Sequence, residues 1–206
     1  AGLEWSVSGV GDFNADGKSD ILWRNANTGT MYVYLMNGAS VDTIRRVSSI
    51  TLDWQVAGLG DINGDNKTDV IWRNTSTGVV WVYLMDGAAI DASYQLSVVA
   101  DPWQFAAAGD FDGDGDADLF WRNSQTGENW VYWMQDGQVD RGAAFNRIAD
   151  PAWFIAFAGD LNGDGTEDIM WRHAQHGTNW VYLLSQSGSL LDSRELNFVT
   201  TDWMVR

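Results

Sequence analysis

The chain contains no cysteine. That excludes disulfides, zinc–thiolate sites and thiol catalysis. It has only two prolines in 206 residues, and 12 lysines and arginines against 28 acids, a net charge of −16. A chain so poor in clustered Lys and Arg excludes nucleic acid and anionic membrane as partners. It has no apolar run of 18 residues, so nothing reads as a membrane span. No stretch keeps helical periodicity. No signal-peptide pattern stands at Ala1, as in a mature or trimmed chain. What is abundant is glycine, 22 residues, and tryptophan, 13.

The glycines and acids fall into one line written four times. It reads Asp12-Phe13-Asn14-Ala15-Asp16-Gly17-Lys18-Ser19-Asp20, and recurs over Asp61–Asp69, Asp110–Asp118 and Asp160–Asp168. Side-chain oxygens stand at positions 1, 3, 5 and 9. Positions 1, 3 and 5 are Asp12, Asn14, Asp16; Asp61, Asn63, Asp65; Asp110, Asp112, Asp114; and Asp160, Asn162, Asp164. Position 9 is Asp20, Asp69, Asp118 and Asp168. Calcium is a hard cation that takes six to eight oxygens, and a short loop that alternates carboxylates with small residues can supply them. Position 6 is Gly17, Asn66, Gly115 and Gly165, the residue types that tolerate a left-handed backbone. Position 7 (Lys18, Lys67, Asp116, Thr166) varies, as expected where only a backbone carbonyl is used. Position 12 is tryptophan and the flanks are β-like, so the loop is not an EF-hand. Thirteen of the 28 acids stand at positions 1, 3, 5 and 9 of these loops, and four divalent ions would halve the net charge.

The loop sits in a longer frame. Leading tryptophans Trp5, Trp54, Trp103, Trp153 and Trp203 recur every 49 or 50 residues. Each unit runs from that tryptophan to Gly-Asp, through the loop, to a strand ending in Trp-Arg (Trp23-Arg24, Trp72-Arg73, Trp121-Arg122, Trp171-Arg172). A glycine turn leads to a third, aromatic strand, and a less regular segment such as 40–48 reads as a fourth. Periods of about 40–50 residues with four strands signal propeller blades. The expectation is therefore an all-β, four-stranded antiparallel β-propeller in one domain, 1–206. Its repeats span roughly 1–50, 51–99, 100–149 and 150–199, and 200–206 starts a further repeat. A β-solenoid, whose repeats are shorter, is the alternative. The leading and Trp-Arg tryptophans read as core. Trp81, Trp130 and Trp180, with Tyr32 in the first unit, read as candidate ligand-stacking residues.

These residues resemble the FG-GAP/VCBS repeat family, calcium-binding propeller repeats also found in integrin α-subunits. The resemblance implies calcium between the first two strands of each blade, about four ions in all. It implies side-chain ligands from positions 1, 3, 5 and 9, with backbone oxygens from Lys18, Lys67, Asp116 and Thr166. Asn66 in place of glycine, and Trp-Arg after the loop, depart from the family's pattern. The second departure places the chain nearer its bacterial and fungal lectin-like branch.

Function then reads as a non-catalytic, secreted or cell-surface binding module for a glycan or a protein. A structural spacer in a larger secreted protein is the alternative. An enzyme would need a constellation that breaks the repeat. The breaks are Arg45-Arg46, Trp133, Glu167, and His173 with His176, without a nucleophile–base signature. Four units plus the start of a fifth point to a closed four-blade ring, to a homo-oligomer completing a larger one, or to an excerpt of a longer array.

Overall fold

A computed structural model describes residues 2–196 and 199. The expected start of a fifth repeat at Trp203 lies outside the described residues. The structure is sixteen strands in four antiparallel sheets, each a simple up-and-down meander. Blade one is β1 (Trp5–Gly11), β2 (Asp20–Asn25), β3 (Thr30–Asn37) and β4 (Ser40–Ser49). Blade two is β5 (Trp54–Gly60), β6 (Asp69–Asn74), β7 (Val79–Asp86) and β8 (Ala89–Val98). Blade three is β9 (Trp103–Gly109), β10 (Asp118–Asn123), β11 (Asn129–Gln135) and β12 (Gln138–Phe145). Blade four is β13 (Trp153–Gly159), β14 (Asp168–His173), β15 (Asn179–Leu184) and β16 (Leu190–Leu196). The blades pair into two compact units, Ala1–Ala100 and Asp101–Arg206. No helix among the described residues is long and apolar enough to cross a membrane.

Each second strand is apolar on both faces, and those of blades two, three and four are buried along nearly their whole length. Phe13, Leu22, Met31, Val33, Val70, Trp72 and Met85 make one buried core in the first unit. Phe111, Phe120, Val131, Trp133, Ile169, Trp171 and Leu184 make its counterpart in the second. Trp72, Trp121 and Trp171 are at most 1% exposed, as core residues should be. Trp23 is only half-buried, and so are the leading tryptophans Trp5, Trp54, Trp103 and Trp153.

The Trp-Arg pair locks one blade onto the next. Arg24 of blade one lies 5.1 Å over the Trp72 ring of blade two, and Arg122 of blade three lies 5.2 Å over Trp171 of blade four. Arg122 also donates to the carbonyls of Gly127, Ile148 and Asp150 and to Asn129 Oδ1, at 2.8–3.1 Å. A planar, five-donor guanidinium suits this stacked and forked duty, and a lysine would not.

The turn after each second strand is fixed by its first and last residues. Asn25, Asn74 and Asn123 each accept two backbone N–H bonds at 3.0 Å through Oδ1. Gly29 closes the first such turn at φ +65°, and a Cβ there would strike the Ile50 carbonyl. Only glycine meets both demands.

Candidate metal centres and ligand surface

Each acidic loop joins the first strand of a blade to its second. In all four, the position 1 aspartate gathers backbone N–H groups. Asp12 Oδ1 accepts from Asn14 and Asp16, and its Oδ2 accepts from Gly17 at 2.7 Å. Asp61, Asp110 and Asp160 repeat the bonds to positions 5 and 6. The position 5 aspartates Asp16, Asp65, Asp114 and Asp164 each accept the position 7 N–H at 2.9 Å. Position 6 is left-handed in every copy, with φ +79° at Gly17, +64° at Asn66, +100° at Gly115 and +88° at Gly165. Asparagine thus does the work of glycine in loop two. Position 4 is left-handed too. There loop one carries Ala15 at φ +57°, while the other loops carry Gly64, Gly113 and Gly163.

Position 9 has a second duty. Asp20, Asp69, Asp118 and Asp168 are fully buried. Through Oδ2 each accepts the position 2 N–H of its own loop: Phe13, Ile62, Phe111 or Leu161, at 3.0–3.1 Å. Through Oδ1 each accepts an N–H near the end of the third strand: Met36, Met85, Met134 or Leu184, at 2.8–2.9 Å. The carboxylate therefore staples the loop to the blade. Burial pushes the Asp69 carboxyl up to about 7 and that of Asp118 up to about 8, against the lowering effect of those N–H groups. Neighbouring aspartates push the same way.

The donor set fits calcium. In loop three, one carboxylate oxygen each from Asp110, Asp112 and Asp118 lie within 4.8 Å of one another. Asp112 Oδ1 is buried and has no hydrogen-bond partner. Burial, then Asp114, raises the Asp112 carboxyl above its usual range. In loop two, one end of the Asn63 amide lies 3.1 Å from Asp61 Oδ1 and 3.3 Å from Asp65 Oδ1. With its oxygen at that end, three oxygens converge on one point, and a hard cation would resolve their repulsion.

The loops of paired blades are tied together. Thr68 N–H donates to the Asp12 carbonyl at 2.7 Å, and Glu167 N–H to the Asp110 carbonyl at 2.8 Å. The Glu167 side chain is half-buried; burial, then Asp110 and Asp160, raises its carboxyl.

The four candidate stacking residues stand one per blade, each opposite a Trp-Arg tryptophan: Tyr32 opposite Trp23, Trp81 opposite Trp72, Trp130 opposite Trp121 and Trp180 opposite Trp171. Trp130 is 37% exposed. Trp81 donates Nε1–H to Ser93 Oγ at 2.8 Å. Tyr32 meets Trp5 edge-on at 5.6 Å and, with Trp5, Trp23, Tyr34 and Ile44, lines a cavity of about 250 Å³.

His173 takes the place of the turn-capping asparagine. Its Nδ1 accepts the N–H groups of Gln175 and His176 at 3.2 and 3.1 Å, as Asn74 Oδ1 accepts those of Ser76 and Thr77. That assigns the proton to Nε2, which donates to Asp150 Oδ2 at 3.0 Å, as Asn74 Nδ2 donates to Asp53 at 2.6 Å. His176 stacks on the imidazole at 4.4 Å. Both ring nitrogens thus hold structural bonds. His173→Asn should leave the melting temperature within about 1–2 °C of wild type, whereas His173→Ala should cost roughly 1–2 kcal/mol. Equal losses would show that the ring, and not the cap, stabilises this turn.

Residues 12–72, 61–121 and 110–171 each match the FG-GAP-like repeat family. No curated protein matches the chain's sequence. Among solved structures, the chain is similar to an Agrocybe aegerita lectin that recognises non-reducing terminal N-acetylglucosamine. Identity is 18% and the TM-score 0.62, over 90% of this chain and 50% of that one. The chain thus spans about half the length of that lectin. Weaker likenesses are to the Photorhabdus luminescens Tc holotoxin pore (16% identity, TM-score 0.44, 97% of this chain and 12% of that one) and to the Vibrio cholerae biofilm matrix protein Bap1 (18%, 0.37, 91% and 29%).

Proposed function

The chain belongs to the FG-GAP-like repeat family, and from that premise we propose that it is a non-catalytic, calcium-stabilised extracellular module that binds carbohydrate. The aromatic cavity of blade one carries the carbohydrate reading. Trp5, Trp23, Tyr32 and Tyr34 present ring faces and edges around a space of sugar-ring scale. Trp23 stays partly accessible there, while its counterparts Trp72, Trp121 and Trp171 are sealed. Pyranose rings offer apolar C–H faces to such rings and hydroxyls to phenol groups. The fold shared with a lectin supports the same reading.

Calcium would be held by Asp12, Asn14, Asp16 and Asp20 and by the equivalent residues of the other loops, with backbone oxygens from position 7. Its chemistry there is structural: it offsets the converging carboxylates and holds the first hairpin of each blade. Sites of the extracellular-module kind bind calcium at roughly 0.1–1 mM and stay filled only outside cells, which supports a secreted or cell-surface setting.

A glycan array probed in ~1 mM calcium tests the function. Saturable binding of a saccharide is expected, weakened at least tenfold by Tyr32→Ala as one stacked aromatic is lost. An array without hits would overturn the carbohydrate reading.

A further inference from the structure

Blades one and two leave a gap at their outer strands. Between β3–β4 and the turn joining β7 to β8 lies a groove of about 600 Å³, lined among others by Leu35, Thr43, Arg45, Val47, Asp86 and Ala88. The corresponding position in the second unit is filled. Leu35 pairs with Thr43 and Trp133 with Arg141, each just before the same register shift, so Trp133 is the counterpart of Leu35. Trp133 is 4% exposed. Its ring lies against Gly188 in the β15–β16 turn with no room for a Cβ there. Arg141 stacks 4.5 Å over the ring and pairs with Asp112 at 3.1 Å. The groove in the first unit exists because leucine stands where the sister blade carries tryptophan.

Its charge is as distinctive as its shape. Arg45 is exposed, and among the described residues its guanidinium has no hydrogen-bond or ion-pair partner. Asp86 pairs with Lys67 at 3.2 Å, a lysine that also meets Asp65 at 3.5 Å, and Arg46, which lines the groove too, donates to Ser49 Oγ at 2.8 Å. Arg45 lies opposite Val33; the residues at the same register in the other blades are Tyr94, Ala143 and Arg194, the last paired with Asp192. Among the described residues, an unpaired guanidinium at this register is therefore particular to blade one, on a chain whose net charge of −16 otherwise repels anions.

We propose that this groove binds a carboxylate-bearing saccharide, a uronate unit of an acidic polysaccharide, with Arg45 as its anchor. The proposal rests on the carbohydrate-binding reading above and adds a second, charge-selective subsite to it. The guanidinium fork matches a carboxylate in a bidentate pair. Leu35, Val47 and Ile90 offer an apolar wall to the ring face, and the Thr43 hydroxyl offers a polar partner. The volume lies within the roughly 300–1,000 Å³ usual for small-ligand sites.

The test is calorimetric titration in constant ~1 mM calcium with three probes: a galacturonate oligomer, a neutral N-acetylglucosamine oligomer and a polyglutamate peptide. The whole chain is used as wild type, Arg45→Gln, Leu35→Trp and Tyr32→Ala, each checked for an unchanged melt. Wild type should bind the uronate, and Arg45→Gln should weaken it at least about tenfold, the loss of one charge-assisted contact. Leu35→Trp, which copies the sister blade, should abolish uronate binding. Tyr32→Ala should spare it. Uronate binding indifferent to both groove variants would overturn the proposal. Binding of the neutral oligomer alone would overturn it while leaving the carbohydrate reading intact. Tighter binding of polyglutamate would replace the saccharide with an acidic polypeptide. If no saccharide binds, the carbohydrate reading falls, and this proposal falls with it.

Discussion

Chelating divalent cations will lower the melting temperature by about 10–20 °C. A loop that binds calcium with a Kd of about 0.1 mM, bathed in about 1 mM, gains roughly 1.4 kcal/mol. Four such loops contribute about 5–6 kcal/mol. In a chain of this length, each kcal/mol moves the midpoint by about 2–4 °C. Scanning calorimetry in calcium and in chelator reads the difference directly, and metal analysis of the loaded protein should find about four ions. Magnesium should not substitute, because it demands a smaller octahedral shell and gives up its water reluctantly. A melt indifferent to chelator would overturn the calcium reading.

The chelated protein should also respond to pH in an unusual direction. Folding raises the Asp69 carboxyl to about 7 and that of Asp118 to about 8, from 3.8. Between those values the folded chain holds protons that the unfolded chain releases. The stability these groups contribute is therefore complete below about pH 4 and is lost as pH rises towards 8. In chelator the protein should melt several degrees lower at pH 8.5 than at pH 5. In calcium the order should reverse, because binding requires ionised carboxylates. A chelated protein that is more stable at pH 8.5 would mean that the buried carboxyls are ionised without the ion.

The blades and the loops were legible because both are written as spacing. A 49- or 50-residue period fixes the strand order, and alternating oxygens fix the loop. The position 6 turn could be read because asparagine and glycine share a tolerance for positive φ. The same turn at position 4 is written as glycine in three loops, and only Ala15 in the first carries no such signature. The staple at position 9 was hidden for another reason. Its second partner is a backbone N–H sixteen residues away, and a backbone donor leaves no mark on the residue type. Trp133 stood out as a break in the repeat, but its meaning needed the strand register that sets it against Leu35. His173 stood out as well and reads as a turn cap once its two nitrogens are seen to copy an amide. The pairing of repeats into two units follows from packing and has no mark in the period.

Asp118 and Asp112 belong to one loop and should fail in opposite ways. Asp118→Ala strips the acceptors from two buried N–H groups, those of Phe111 and Met134. Each orphan costs about 1–3 kcal/mol, so the variant should lose roughly 5–15 °C in chelator as well as in calcium. Asp112 Oδ1 has no protein donor, and the exposed Arg141 holds the other oxygen. Removing that side chain relieves a carboxylate crowded against Asp110 and Asp118. Asp112→Ala should therefore melt at or above wild type in chelator and below it in calcium, by about one site's share of 3–6 °C. The pair separates the two duties of the loop, folding the blade and holding the ion. If Asp118→Ala matched wild type in chelator, the staple would be wrong. If Asp112→Ala lost equally in both buffers, its carboxylate would be serving the fold and not a cation.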